Sequence, residues 1–123
     1  MKFTIPIPPR TKKNSSQIIF VKGRPLIIPS KLYKQFEKDC KEYMPNCETI
    51  DYPITLRCIY YMPTRRKVDL CNLLEATCDM LVHHKVISDD NSGIVCSHDG
   101  SRVYYDKENP RTEVEITKFE GEK

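Results

Sequence analysis

Between residues 54 and 81 the hydrophobic period of the chain changes from two to about 3.6 across one short basic turn. Ile54, Leu56, Cys58, Tyr60 and Met62 alternate with Thr55, Arg57, Ile59 and Tyr61, which reads as a well-buried strand. The turn at 63–67 is PTRRK. After it Leu70, Leu73, Leu74, Thr77, Met80 and Leu81 recur at helical spacing. On a wheel stepped about 100° per residue from Asp69 they occupy one arc of about 20° to 140°, a single core-facing stripe.

Other segments fill in around this pair. Alternation and turn residues predict strands near 2–7, 17–21 and 25–28, with the basic, non-periodic RTKKNSS of 10–16 as a loop. Ser30 is placed to cap a helix from 31 to about 43, with Leu32, Phe36, Cys40 and Tyr43 on its apolar side and Lys31, Lys34, Lys38 and Lys41 on the other. Pro45 ends it. The segment SDDNSG at 88–93 reads as a loop. Segments 94–97 and 102–106 flank His98-Asp99-Gly100-Ser101 and read as a hairpin, and a last strand covers about 112–119. Strands with two separated helices imply an α+β domain, a mixed or mainly antiparallel sheet with two principal helices packed on one face. The 123 residues suffice for one such domain, spanning 1–123.

Charge excludes several classes and sharpens another. With 39% hydrophobic and 30% charged residues the chain is too polar for a membrane protein and too apolar for a disordered tail. The start MKFTIPIPPR lacks the continuous apolar stretch of a signal peptide, so an intracellular, cytoplasmic protein without a membrane partner is expected. The net +3 conceals an asymmetry: residues 1–67 hold 14 basic and 5 acidic side chains, whereas 68–123 hold 6 and 12. Binding a polyanion by charge alone would not require the acidic second part. The cysteines, Cys40, Cys47, Cys58, Cys71, Cys78 and Cys96, include no CxxC pair. Cys96 with His98, or His83 with His84, matches no usual zinc framework, and reduced thiols in the core are expected.

The acidic residues of the second helix are not scattered. Asp69, Asn72, Glu75 and Asp79 fall on the arc opposite the apolar stripe, and no lysine or arginine shares it. Asp69 has an ordinary role as N-cap. Glu75 and Asp79, like charges four residues apart, cost a few tenths of a kcal/mol on an otherwise solvated face. The same face is suited to a hard divalent cation, for which Mg²⁺ takes one or two carboxylates with water and substrate phosphate. Asp89 and Asp90 follow in a loop that can return another carboxylate to it. Acidic metal ligands preceded by basic segments suit phosphodiester hydrolysis, the cation activating water while Arg and Lys hold the backbone.

The run at 65–95, RRKVDLCNLLEATCDMLVHHKVISDDNSGIV, resembles the core motif of the RusA family of Holliday-junction resolvases. That motif joins a basic turn, a helix opening Asp-x-Asp-Asn-Leu, a later helical aspartate and an Asp-Asp loop. The start TIPIPPRTKKNS is similar to the family's proline-rich first strand and basic loop. The resemblance implies a homodimer and Mg²⁺-dependent cleavage of branched DNA such as the four-way junction, with Mn²⁺ as a substitute, in recombination and repair. It also implies a phage or prophage setting.

By that resemblance Asp69 and Asn72 match the helix opening, Asp79 the later aspartate and Asp90 the second aspartate of the loop. Asp69, Glu75, Asp79 and Asp90 are the expected metal ligands, with Asn72 supporting them. Arg10, Lys12, Lys13, Arg65, Arg66 and Lys67 are the expected DNA contacts. Two positions depart from the motif: Cys71 replaces its second aspartate and Glu75 its lysine. Cys71 and Glu75 are one turn apart, so Glu75 restores a carboxylate beside Asp79, and Lys67 or Lys85 is left to supply the cation. The competing expectation is a catalytically impaired nucleic-acid-binding module of the same fold.

Overall fold

A computed structural model of the chain describes residues 1–12, 16–29 and 31–121. Its main sheet is built on the strand read from alternation. β4 (Ile54–Met62) pairs antiparallel with β7 (Arg111–Lys118), and β7 pairs antiparallel with β1 (Lys2–Ile5). Register puts Leu56 opposite Ile116, Cys58 opposite Val114 and Tyr60 opposite Thr112. All six are buried, so they form the inner face of the sheet. Its other face is largely polar, with Lys2 and Glu115 paired at 3.2 Å, as an antiparallel sheet covered on one side allows. β2 (Ser16–Val21) and β3 (Arg24–Pro29) make a separate hairpin. Its turn puts both Lys22 (φ 52°) and Gly23 (φ 76°) in the left-handed region, the geometry that matches strand twist.

Two helices cover the inner face. α1 (Lys31–Asp39) continues as a 3-10 turn over Cys40–Tyr43. Met44 is extended (ψ 143°), as the residue before Pro45 must be to avoid the proline ring. The expected Ser30 cap lies outside the described residues. Leu32, expected in the core, is 60% exposed, and Tyr33 is buried in its place. Tyr33 buries its ring while donating its hydroxyl to Ala76 O at 3.2 Å, which an aliphatic side chain cannot do. α2 (Leu70–His83) buries Leu73, Leu74, Ala76, Thr77, Cys78, Met80 and Leu81. Tyr60 and Thr77 tie it to β4 through a buried 2.6 Å hydroxyl–hydroxyl bond.

The hairpin expected from 94–97 and 102–106 does not form. β5 (Val95–Ser97) and β6 (Arg102–Tyr105) instead lie one after the other along the free edge of β4, both parallel to it. Parallel pairing needs a crossover, and α2 provides it between β4 and β5. Between β5 and β6 the turn at 98–101 leaves two β4 backbone groups without a strand partner. His98 Nδ1 donates to Leu56 O at 3.0 Å, and Ser101 Oγ accepts from Cys58 N at 3.1 Å. His98 thus completes a sheet edge. Gly100 suits this turn because its backbone is left-handed (φ 84°), a conformation that other residues adopt only with strain. All six cysteines are free; Cys40, Cys58 and Cys78 are core residues, while Cys47 and Cys71 are exposed and Cys96 is half-buried. Among the described residues no helix is long and apolar enough to cross a membrane.

Candidate active site

α2 positions four of the five candidate site residues. Asp69 is its N-cap, with extended backbone (φ −83°, ψ 117°) and a carboxylate accepting from Cys71 N at 2.9 Å. A cap of this kind contributes about 1 kcal/mol. Asn72, Glu75 and Asp79 follow on the solvent side: Glu75 is exposed, and Asn72 and Asp79 are half-buried. From Asp69 to Asp79 the helix rises about 15 Å, at about 1.5 Å per residue. One ion with ligands at about 2.1 Å cannot bridge these two carboxylates.

Asp79 is the organised end of the stripe. Its Oδ2 accepts from Lys12 Nζ at 2.7 Å. The same ammonium lies 5.6 Å from the centre of the Tyr33 ring. Burial first, then the charges of Glu37 and Asp79, push the Tyr33 hydroxyl well above its ordinary range, so it remains a proton donor.

The loop after α2 returns a carboxylate to this end. Asp89 accepts from Asp90 N at 2.7 Å and from Asn91 Nδ2 at 3.1 Å, and Asn91 Oδ1 accepts from Gly93 N at 2.9 Å. These bonds build the turn expected from SDDNSG, and the first of them, from the Asp90 backbone N–H, does most to hold Asp89 below the usual carboxylate range. Asp90 behaves oppositely. Partial desolvation raises it first, followed by its hydrogen bond to Asp89 and by the negative charge of Asp79. A carboxylate whose ionisation is opposed by a neighbouring negative charge attracts a cation. Glu75, Asp79 and Asp90 also all raise the thiol of Cys78, which burial pushes up to about 12. These three acids are therefore within electrostatic reach of the Cys78 turn of α2, whereas Asp69 stands at the far end of the helix.

Among the described residues no three His, Cys, Asp or Glu side chains converge as an ion cage. The donor set still fits Mg²⁺, which takes one or two carboxylate oxygens and draws the remainder from water and phosphate. Asp79 and Asp90 supply such a pair, with Glu75 a turn away, and the Lys12 ammonium holds a positive charge beside it.

The basic residues are divided. Arg65, Arg66 and Lys67 are exposed on the turn leading into Asp69, and the Arg65 guanidinium lies 4.2 Å from the centre of the Tyr105 ring. Arg10 is exposed, and Lys13 lies outside the described residues. Lys67 precedes the N-terminal end of α2, and Lys85 follows its C-terminal end with a left-handed backbone (φ 60°). Among the described residues, the lysine in ion-pair contact with the acidic face is Lys12, which the sequence places on a DNA-holding loop. No local pattern signals this pair, because its members are 67 residues apart.

The acidic helix face and the basic turn both lie within a longer match: a family model described as endodeoxyribonuclease RusA matches residues 6–117, nearly the whole chain. The chain belongs to the RusA endodeoxyribonuclease family. No curated protein matches it closely. RusA enzymes are Holliday-junction endonucleases and generally require a divalent metal, so the acids around Asp79 belong to a nuclease fold.

Proposed function

We propose that the chain is a Mg²⁺-dependent endodeoxyribonuclease that resolves Holliday junctions during DNA recombination and repair, with Mn²⁺ able to substitute. The observation that carries this reading is the acidic solvent side of α2, where Lys12 pairs with Asp79 at 2.7 Å and the negative charge of Asp79 reaches Asp90 in the following loop. It gives a RusA-family chain two carboxylates, Asp79 and Asp90, beside a lysine. A divalent cation held there supplies charge neutralisation at the scissile phosphate and an acidified water. Asp79 and Asp90 would hold the cation, and Glu75 would contribute a further carboxylate from the preceding turn. Asp69 fixes the start of the helix and offers its second oxygen at the other end of the stripe, and Asn72 orients groups between them. Arg10, Lys12, Lys13, Arg65, Arg66 and Lys67 bind the phosphate backbone around the cut. A homodimer places one such site on each of two strands of a nearly two-fold junction. An intracellular setting in a phage or prophage suits this activity.

A second reading has its own support. Cys71 occupies the place of a motif aspartate, and the Lys12 ammonium already neutralises Asp79, which favours a DNA-binding module that no longer cuts. The deciding experiment adds Mg²⁺ or Mn²⁺ to purified protein on a synthetic four-way junction. The nuclease reading predicts metal-dependent nicks that Asp90→Asn removes while binding persists. Binding without nicks in either metal establishes the second reading.

A further inference from the structure

Beyond the C-terminal end of α2 the chain holds a cleft of about 510 Å³ lined by Lys34, Glu37, Lys38, Lys41, His83, His84 and Lys85. None of its four lysines forms an ion pair among the described residues. Its one acid, Glu37, accepts from the Tyr33 hydroxyl at 3.3 Å and faces His83 Nδ1 at 3.7 Å. His84 Nε2 donates to Glu37 O at 2.6 Å, so the end of α2 is fastened to α1 at the cleft. Four lysines therefore converge around one carboxylate, an excess of positive charge that suits a ligand carrying several negative charges.

The position of the cleft selects that ligand. His83 follows Asp79 by four residues, so it lies about 6 Å further along the same face of α2. Lys12, Tyr33 and Glu37 link the two places through the contacts already described. The acidic stripe is thus bounded by cations at both ends, with Arg65, Arg66 and Lys67 before Asp69 and the lysine cleft after Asp79. Asp69 to His83 spans about 21 Å of helix. A DNA strand with a phosphate per 3.4 Å of axis sets about six phosphates along that length.

We propose that this cleft is a second backbone-binding site, in which the DNA strand that crosses Asp79 and Asp90 lodges its next phosphates among Lys34, Lys38, Lys41 and Lys85. The assignment rests on the nuclease reading above and adds the path of the strand. It gives α1, whose lysines face away from the core, a role in holding substrate.

The test compares wild type with Lys34→Gln/Lys38→Gln/Lys41→Gln and with Lys2→Gln/Lys118→Gln, which removes charge from the sheet instead. Binding to a fluorescent four-way junction is measured by anisotropy in EDTA, between 50 and 200 mM salt. Each phosphate contact contributes about 0.9 to the slope of log affinity against log salt. The triple variant is therefore expected to lose at least tenfold in affinity at 50 mM salt and to flatten the slope by about 2–3. The sheet variant is expected to change the slope by less than one. An unchanged slope in the triple variant, or an equal loss per charge in the sheet variant, overturns the proposal. A wild type that does not bind the junction overturns the nuclease reading along with it. Methylphosphonate linkages in the junction check the same point without altering the fold. Those on one side of the cut should weaken wild type and leave the triple variant unaffected, and equal weakening of both proteins contradicts the assignment.

Discussion

Replacing Lys12 with methionine separates its two roles. The ion pair with Asp79 is 2.7 Å long, and its side chains are 35% and 31% exposed. At that exposure solvent screens much of the attraction, and such pairs contribute about 0.2–1 kcal/mol. Contact with the Tyr33 ring adds about 0.5 kcal/mol. The loss of stability predicted from these two contacts is therefore about 0.7–1.5 kcal/mol, a fall of roughly 3–6 °C in Tm for a domain of this size. Divalent-ion affinity should move the other way, because the variant removes the cation that competes for Asp79. Releasing about 0.2–1 kcal/mol tightens binding by about 1.4- to 5-fold. Titration calorimetry with Mn²⁺ on the free protein, beside thermal unfolding, measures both quantities. Weaker metal binding in Lys12→Met would refute the assignment of Asp79 to the cation site. A stability loss of several kcal/mol would show that the pair is a structural element of the fold.

Three further predictions follow from particular contacts. Asp90 titrates above its ordinary value in the folded chain, so ionising it opposes folding; below the carboxylate range both states are protonated and that cost is absent. Asp90→Asn should therefore be more stable than wild type near pH 7 and equal to it near pH 3 in urea melts, and a destabilised variant at pH 7 contradicts the sign. Glu75→Gln should reduce metal-dependent cleavage by tenfold or more if Glu75 replaces the carboxylate absent at Cys71, and unchanged cleavage sinks that compensation. Ser101→Ala removes the acceptor for Cys58 N on the buried β4 edge and should cost about 1–3 kcal/mol by urea denaturation, whereas a loss below 0.5 kcal/mol means that another group takes its place.

The elements with a clean hydrophobic period are legible in the amino-acid sequence. β4 spans the residues whose alternation announces it, and α2 begins directly after Asp69, the residue suited to cap it. What local pattern does not carry is partnership between distant segments. His98-Asp99-Gly100-Ser101 suits a hairpin turn, yet β5 and β6 both pair with β4 because His98 and Ser101 supply the hydrogen bonds its edge lacks between them. On α1 a wheel favours Leu32 as readily as Tyr33, and the choice rests on Ala76 O, 43 residues away. The candidate acids are all visible as residue types. Their grouping is not: the shared helix face suggests that Asp69 joins Asp79 and Asp90 at one ion, but the helix separates it from Asp79 by about 15 Å. Asp90, by contrast, lies within electrostatic reach of Asp79.

The account depends most on the acids of α2 and its following loop working as a nuclease centre. The direct measurement is a denaturing gel of a synthetic four-way junction, end-labelled on each strand in turn and incubated with purified protein and Mg²⁺. The account predicts paired nicks at symmetrical positions on two opposing strands, lost with EDTA and lost in Asp90→Asn. A junction that is bound but left intact in all four strands, in Mg²⁺ and in Mn²⁺, would contradict it.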